Sequence, residues 1–288
     1  MSNTAKDDFA GLRRLLHIMD CLRDKELGCP WDLCQDFASI APHTIEEVYE
    51  VVEAIESGDR DALPDELGDL LFQVVFYARL GKEEGSFDFD SIASRMAEKL
   101  LRRHPHVFPD GTLDSFGCVT ESDPDQVVAR WEQIKARERS QKQARERNKG
   151  NLAVGASQLD DIPQALPAMM RAEKLQKRAA RTGFDWNRTE SVLEKVEEEL
   201  EELKTAIHNG MDGEIHEEFG DLLFTMVNLS RHIRTDSETA LRESVRKFEK
   251  RFRTMETLIK EAGLDIMDLA TEQMDGYWER AKKICQSS

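Results

Sequence analysis

The sequence predicts an all-α protein made of two tandem domains that are related by an internal duplication. The 288 residues are enough for two domains of ordinary size, each with its own core. Charged residues make up 34% of the chain and hydrophobic residues 40%, with only 16 Gly and 8 Pro, a composition that is typical of helix-rich proteins. An acidic motif also occurs twice at a constant spacing, which indicates a repeat.

The repeated motif has five acidic positions, and each is separated from its counterpart by 152 residues. Both copies combine Glu-Glu-x-x-Glu with a later Glu-x-Gly-Asp-Leu-Leu-Phe. The matched pairs are Glu46 and Glu198, Glu47 and Glu199, Glu50 and Glu202, Glu66 and Glu218, and Asp69 and Asp221. Five acidic positions that stay in register indicate a duplicated site rather than chance.

Helical geometry predicts that these carboxylates face one another. At about 100° per residue, Glu46, Glu47 and Glu50 fall within one quadrant of a helix, opposite an apolar stripe. Glu66 and Asp69 are neighbours on a second helix that is otherwise rich in Leu, Val and Phe. Carboxylates on a helix fit for burial cost several kcal/mol each when they are left unpaired, so we expect a cation between the two helices.

Oxygen ligands alone favour Mg²⁺, with Mn²⁺ as a possible substitute, over zinc or copper. Mg²⁺ commonly bridges a few carboxylates to a substrate phosphate. Two other interpretations exist. Glutamate-rich stripes are often solvated helix faces, although the repeated acidic pair on an apolar helix speaks against this. A di-iron bundle would need Glu-x-x-His, and no histidine of this chain has a glutamate three positions earlier.

The first domain is expected to begin with a helix from Leu12 to Leu22, where apolar residues recur at helical spacing. Gly28 to Asp32 then predicts a loop, in which Trp31 is either buried, the more common case, or stacked on a nucleobase. Pro42 and a Thr44 N-cap predict the start of the first acidic helix.

Gly58 predicts the end of this helix, and Pro64 marks the first turn of the next, which is expected to run to about Leu80. Further helices are predicted from Ile92 to Arg103 and around Trp131, with an irregular segment over 106–125 between them. The polar tract 136–148 predicts a solvated linker helix.

The second half repeats the first, with Gly183-Phe184-Asp185-Trp186 in place of Cys-Pro-Trp-Asp. We therefore predict a first domain over 1–148, a linker over 149–165 and a second domain over 166–288.

Charge and cysteine usage limit the partners and the compartment. The net charge of −17 argues against a nucleic-acid-binding surface. The five cysteines form no Cys-x-x-Cys pair, and no segment resembles a signal peptide or a membrane span. We expect a cytoplasmic protein with reduced thiols and no membrane partner.

Basic and aromatic residues are duplicated too, at spacings of 147 or 148 residues. The pairs are Lys99 with Lys247, Arg103 with Arg251, Trp131 with Trp278, and Lys135 with Lys282. Arg and Lys suit a polyphosphate, although such residues on amphipathic helices are often merely solvated. One position differs: Lys195 lies a turn before the acidic pair in the second half, where the first half has His43. A largely neutral histidine supplies less charge, so the second half is better suited to a triphosphate.

The doubled acidic motif, together with Arg-Arg-His-Pro-His-Val-Phe at 102–108 and Lys-Leu-Gln-Lys-Arg-Ala-Ala at 174–180, resembles the MazG family of all-α nucleoside triphosphate pyrophosphohydrolases. The resemblance covers nearly the whole chain. It implies two helical bundles that are completed by homodimerisation. It also implies the Mg²⁺-dependent hydrolysis of nucleoside triphosphates, of broad base range, to monophosphate and pyrophosphate.

The resemblance also implies roles for individual residues. It assigns the metal to Glu199, Glu202, Glu218 and Asp221, with Glu47, Glu50, Glu66 and Asp69 as their first-half counterparts. The attacking water is assigned to Glu198 and Glu46. The nucleotide is assigned to Lys195, Glu214, Glu217, Lys247, Arg251, Trp278 and Lys282. Metal and basic side chains together can activate water and stabilise the charge on departing pyrophosphate.

We expect the second half to carry the main activity, because His43 departs from the pattern. Two alternatives stay open. One is an acidic helical scaffold that binds partner proteins around a structural metal, and the other is a hydrolase that is selective for one base, such as that of dUTP.

Overall fold

The computed structural model describes residues 9–117, 123–148 and 157–286. Within these ranges the regular structure consists of α-helices and two short 3₁₀ turns, with no strand. The chain forms two compact units, Met1–Ala144 and Arg145–Ser288. The predicted all-α class is therefore confirmed, while the exact limits of the two domains and of the linker stay predictions.

The first unit is built from five helices and most of a sixth, which continues past Ala144. They are α1 (Ala10–Leu22), α2 (Pro30–Leu33), α3 (Phe37–Ser57), α4 (Leu63–Glu84), α5 (Phe89–Arg103) and α6 (Pro124–Asn148). A 3₁₀ turn over Leu113–Ser115 lies in the segment that was expected to be irregular, and residues 118–122 of that segment lie outside the described residues.

The second unit repeats the central pair of helices and, like the first unit, ends on a further pair. Its helices are α7 (Ala168–Ala180), α8 (Thr189–Asn209), α9 (Asp212–His232), α10 (Ser237–Glu261) and α11 (Thr271–Gln286). α8 packs on α9 as α3 packs on α4, and α7 packs on α9 as α1 packs on α4. The equivalent pairings extend the internal duplication from sequence to architecture.

The start of the first acidic helix was predicted wrongly. Asp36 is the N-cap of α3, because its carboxylate accepts the backbone N–H groups of Ala38 and Ser39, and the Ser39 hydroxyl completes a capping box. Pro42 is consequently inside the helix. Thr44 does not cap but bonds back to the carbonyl of Ile40 and to the Tyr77 hydroxyl, at 3.2 and 2.8 Å.

The predicted loop around Trp31 and the end of α4 also differ from the structure. Trp31 lies on the short helix α2, where it is 55% exposed rather than buried, and its ring meets His43 edge-on. α4 extends one turn beyond Leu80 to Glu84, and the left-handed Gly85 ends it.

The core of the first unit forms where α1, α3 and α4 meet. Met19, Ile40, Val75, Phe76 and Leu80 are buried against one another. Phe76 is fully enclosed, its ring meeting Phe72 edge-on and lying 5.3 Å from the Arg23 guanidinium.

The second unit has a core cluster between α10 and α11. Met255, Ile259 and Ala281 are buried there, and Phe252, Tyr277 and Trp278 pack around them. In the described part of the chain, no helix is both long and apolar enough to cross a membrane.

Replacing Phe76 by Ala should destabilise the first unit by about 3–5 kcal/mol, because the deletion leaves a cavity that the surrounding helices fill only partly. Urea unfolding followed by circular dichroism would measure this loss. Phe116→Ala is the matched control, since that ring is 71% exposed, and it should change stability by less than about 0.5 kcal/mol. Equal effects of the two substitutions would contradict the assigned core.

Candidate functional site

Each unit carries its acidic motif on two helices that pack against each other, α3 with α4 and α8 with α9. Gly58 and Gly210 end the first helix of each pair with φ values of 76° and 69°, a left-handed conformation that suits glycine. The chain then turns back within a few residues. Carboxylates that are far apart in sequence therefore face one another across the helix pair.

In the second unit, Glu199, Glu218 and Asp221 form a cluster, since each offers a carboxylate oxygen within 4.8 Å of the others. Glu199 is only 5% exposed, whereas Asp221 is open to solvent. The fourth predicted ligand, Glu202, is exposed and close enough for its charge to act on Glu218. The structure thus brings the four predicted second-unit ligands into one neighbourhood.

The first unit forms the equivalent cluster from Glu47, Glu66 and Asp69, again within 4.8 Å of one another. Burial raises the pKa of Glu47, and a hydrogen bond with Glu50 raises it further. Gln73 Nε2, one turn after Asp69, lies 3.4 Å from Glu47 Oε1 and can donate to it. The sequence pattern therefore located both clusters.

Crowding of like charges shifts the protonation of these groups. The pKa of Glu218 is raised, first by partial burial and then by the nearby charges of Glu202, Glu199, Asp221 and Glu217. Burial and the charges of Glu50 and Asp69 raise the pKa of Glu66 in the same way. A raised carboxyl pKa means that the ionised form is under-compensated, which is the condition that a divalent cation relieves.

The two sites differ in the residue one turn before the acidic pair, which is Lys195 in the second unit and His43 in the first. The Nζ of Lys195 bridges Glu198 and Glu199, at 2.8 and 2.7 Å, and these hydrogen bonds raise the pKa of Lys195. In the first unit, His43 Nδ1 lies 3.7 Å from Glu46 Oε2. The second site therefore has a lysine ammonium beside a buried cluster carboxylate, and the first has an imidazole ring beside an exposed glutamate.

Glu214 and Glu217 lie on the first turns of α9, and both are exposed. Glu214 borders an open depression of about 330 Å³ beside the second cluster. Its other acidic lining residues are Glu198, Glu201, Glu202 and Glu218. A ligand phosphate in this depression would need cations to accompany it.

The four remaining predicted nucleotide-binding residues lie on α10 and α11, which pack together. Trp278 rests 5.4 Å from the Phe248 ring, Lys282 pairs with Glu279, and Arg251 Nε is buried without a hydrogen-bond partner. Lys247 is exposed. Within the described residues, no hydrogen bond or ion pair joins these four side chains to the acidic cluster, so their role stays a prediction.

The counterparts of these residues in the first unit have local partners of their own. Arg103 and Arg102 both hold Glu138 of α6, at 2.5 and 2.8 Å, and their guanidinium groups lower the pKa of Glu138. Lys135 Nζ lies 3.2 Å from the centre of the Trp131 ring. Glu138 was not singled out from the sequence, because a single glutamate in a charge-rich tract gives no pattern.

The sequence pattern also missed an ion network and a cavity in the second unit. Arg231 binds the carboxylate of Asp185, which also lies 3.3 Å from His232 Nε2, and these contacts lower the pKa of Asp185. The counterpart of Arg231, 152 residues earlier, is Arg79, which pairs with Asp20 and Glu83. The arginine that recurs at both positions was the sequence pattern from which this ion network could have been predicted.

Comparison with known proteins agrees with the duplicated architecture. The model of the MazG nucleotide pyrophosphohydrolase domain matches residues 35–108 and 187–256, which contain the two acidic clusters. A nucleoside triphosphate pyrophosphohydrolase of Escherichia coli K12 is 47% identical over 94% of this chain and 96% of its own length.

Two further bacterial proteins are similar to this chain. A relative from Thermotoga maritima, named nucleoside triphosphate pyrophosphohydrolase/pyrophosphatase MazG, is 43% identical over 93% of this chain and 94% of its own length. A nucleoside triphosphate pyrophosphohydrolase of Mycolicibacterium smegmatis is 32% identical over 68% of this chain and 55% of its own length.

Two helix pairs with facing carboxylates, matched twice by one domain model, define a tandem all-α enzyme of the nucleotide pyrophosphohydrolase class. The chain belongs to the MazG family. The family resemblance that the sequence motifs indicated is thereby confirmed, and the scaffold alternative loses its support because relatives that match nearly the whole chain are named as enzymes.

Replacing Glu218 by Gln should raise the melting temperature of the EDTA-treated protein at pH 7, because it removes one of four crowded negative charges. The folded-state pKa of Glu218 lies above its unfolded value, so ionisation destabilises the fold as pH rises through that pKa. The benefit of the substitution should consequently shrink as pH falls and wild-type Glu218 takes up a proton.

Differential scanning calorimetry between pH 4 and 8 would measure both effects. Glu243→Gln is the control, since Glu243 is exposed on α10 away from the cluster. A lower melting temperature for Glu218→Gln at pH 7 would contradict the assigned crowding.

Proposed function

We propose that the protein hydrolyses nucleoside triphosphates, of broad base and sugar range, to nucleoside monophosphate and pyrophosphate, and that the second unit carries the main activity. The observation that carries this proposal is the under-compensated cluster of Glu199, Glu218 and Asp221 beside Lys195. The names of the relatives, which specify nucleoside triphosphates, support the substrate class.

The cluster fits a hard divalent cation, Mg²⁺ with Mn²⁺ as a substitute, because the nearby donors are carboxylate oxygens, and burial and the neighbouring charges raise the pKa of Glu218. Glu199, Glu202, Glu218 and Asp221 would hold it in the second unit. Glu47, Glu50, Glu66 and Asp69 would do so in the first. When bound, the cation supplies charge neutralisation for the phosphates and acidifies water.

The side chains around the cluster have separate roles in this proposal. Lys195 exchanges its contact with Glu199 for a phosphate oxygen once the carboxylate is compensated. Glu198, which is exposed and released by the same exchange, accepts a proton from the attacking water. Water then forms a bond to the α-phosphorus, and the bond from that phosphorus to the bridging oxygen of the pyrophosphate group breaks.

The remaining assigned residues bind the departing group and the nucleotide. Lys247, Arg251 and Lys282 offer cations to the pyrophosphate, Trp278 offers an aromatic face, and Glu214 and Glu217 lie at the nucleotide end. Glu46 takes the place of Glu198 in the first unit. There His43 gives no fixed cation, so that unit is proposed to be weaker or differently selective.

We also propose that the active form is a homodimer, for which exposed apolar residues provide the support. Leu193, Leu200 and Ile207 recur every seven residues on α8 and are 46%, 40% and 57% exposed. On α9, Phe219 and Leu223 are exposed as well. Apolar stripes of this kind on a helix pair are suited to pack against the same stripes of a second copy.

Glu199→Gln should lower pyrophosphate release from a mixture of nucleoside triphosphates by about 100-fold or more, because it removes a buried metal ligand. Glu47→Gln in the first unit is the matched variant and should cost much less. A coupled pyrophosphate assay on the full chain, with each triphosphate tested separately, would measure both. Equal losses would contradict the division between the units, and activity on one base alone would favour the base-selective alternative.

Leu200→Lys should convert the dimer to a monomer, because a charge in the centre of an apolar interface is left desolvated. Sedimentation velocity at several protein concentrations would detect the change. Glu201→Gln, at an exposed neighbouring position on α8, changes the net charge by the same one unit and is the control, which should leave the dimer intact. A monomeric wild-type protein would refute this part of the proposal.

A further inference from the structure

The C-terminal half of α6 carries a glutamate, Glu138, that binds both arginines at the end of α5. Arg102 Nε donates to Glu138 Oε1 at 2.8 Å, and Arg103 Nε donates to Glu138 Oε2 at 3.0 Å. Arg103 Nη2 donates to the same Oε2 at 2.5 Å. Both oxygens of this carboxylate are therefore used, and two guanidinium groups share one negative charge.

The contact between Arg103 and Glu138 is partly shielded from water. Their side chains are 18% and 21% exposed, whereas that of Arg102 is 56% exposed. Solvent and salt therefore screen this pair less than an ordinary surface pair. Carboxylate and phosphate oxygens accept from the same N–H groups of arginine. Glu138 thus occupies donors of Arg103 that could otherwise bind a phosphate.

The second unit does not repeat this contact at the equivalent arginine. The spacing of 147 residues that relates α6 to α11 places Cys285 where the first unit has Glu138. Cys285 Sγ lies 3.5 Å from the hydroxyl of Thr254, one turn after Arg251 on α10, so Cys285 lies beside this face of α10. Cys285 has no carboxylate to offer to Arg251, the counterpart of Arg103.

The two equivalent arginines consequently differ at one nitrogen. Arg103 Nε is paired with Glu138, whereas Arg251 Nε is buried without a hydrogen-bond partner among the described residues. A buried N–H without a partner costs free energy, and an anionic ligand that accepts from it removes that cost. Arg251 therefore retains a donor for an anion, and Arg103 has already used its own on Glu138.

We propose that Glu138 is an intramolecular competitor of phosphate, which occupies Arg102 and Arg103 and thereby weakens the binding of a nucleotide's phosphates to the first unit. This inference rests on the proposed function, in which Arg251 binds the pyrophosphate group in the second unit. A phosphate must displace the carboxylate before it can bind these guanidinium groups. The apparent affinity therefore falls with the fraction of molecules in which the arginines are open.

Calorimetric titration of the full chain with inorganic tripolyphosphate in Mg²⁺ tests this competition. Glu199→Gln serves as the background, because it removes the buried ligand of the second cluster and leaves the first unit to supply the remaining binding. Adding Glu138→Gln should tighten binding of tripolyphosphate by about tenfold, since two guanidinium groups lose the carboxylate that occupies them. Glu84→Gln is the charge-matched control, because Glu84 is exposed near the start of α5, at the opposite end from the arginines. It should leave the affinity unchanged.

Two further comparisons separate competition from a contact that only ties α6 to α5. Arg103→Gln, added to the chain that carries Glu138→Gln, should cancel the gain in affinity because the released guanidinium is then absent. In the otherwise unmodified chain, Cys285→Glu should weaken binding of tripolyphosphate by about tenfold, since it places a carboxylate beside Arg251. Cys285→Gln has a side chain of the same size without the charge and should not weaken it.

Unchanged affinity on adding Glu138→Gln, with a lower melting temperature, would show a purely structural contact and overturn the proposal. A gain that survives Arg103→Gln would overturn it too, as would equal losses for Cys285→Glu and Cys285→Gln. The proposed function fails separately if Glu199→Gln leaves tripolyphosphate binding of the unmodified chain unchanged. In that case the phosphates are not held at the second cluster, while a gain that depends on Arg103 is still measured.

Discussion

The close approach of carboxylates across two packed helices is the constraint on which the rest of this structure depends. Glu199 can be 5% exposed only because α8 and α9 hold it against Glu218 and Asp221 with apolar residues behind it. Val192, Leu203, Ala206 and Val227 are among those buried residues. Hydrophobic burial in the helix pair thus offsets the repulsion that the acidic cluster introduces. The proposed cation and polyphosphate would bind where the negative charge of the fold is least compensated.

The duplication brings carboxylates close together in both units, and the two units compensate the negative charge differently. The second copy compensates Glu199 internally with Lys195, whereas in the first copy Glu47 shares a hydrogen bond with Glu50 and contacts the amide of Gln73. The Lys195 ammonium can move from Glu199 to a substrate phosphate, whereas the neutral amide of Gln73 has no charge with which to bind one. The difference in local chemistry is consistent with unequal roles for two sites of one design.

Much of this arrangement could be predicted from the sequence, because the constant displacement of five acids and the helical spacing of their neighbours are local patterns. The helix pairs, the end at Gly58 and both clusters were accessible in this way. The start of α3 was not, since Asp36 outcompetes the Pro42 signal by capping two N–H groups.

The cavity beside Trp186 was not accessible either. It depends on three segments meeting in space, and on the rotamer that joins Gln176 to the Phe224 carbonyl. The surroundings of Trp278 likewise follow from the packing of α10 on α11 rather than from its spacing to Lys282. Local periodicity specifies which residues share a helix face, whereas enclosure is a property of the assembled helices.

Phe76 has a consequence for how a duplicated enzyme diverges. A phenyl ring at this position fills the interior of the first unit about two turns after Asp69, and the first acidic cluster still forms. The packing of one copy and its acidic site can therefore change independently. Substitution of one buried side chain is enough to alter the interior of a copy while its acidic residues are kept.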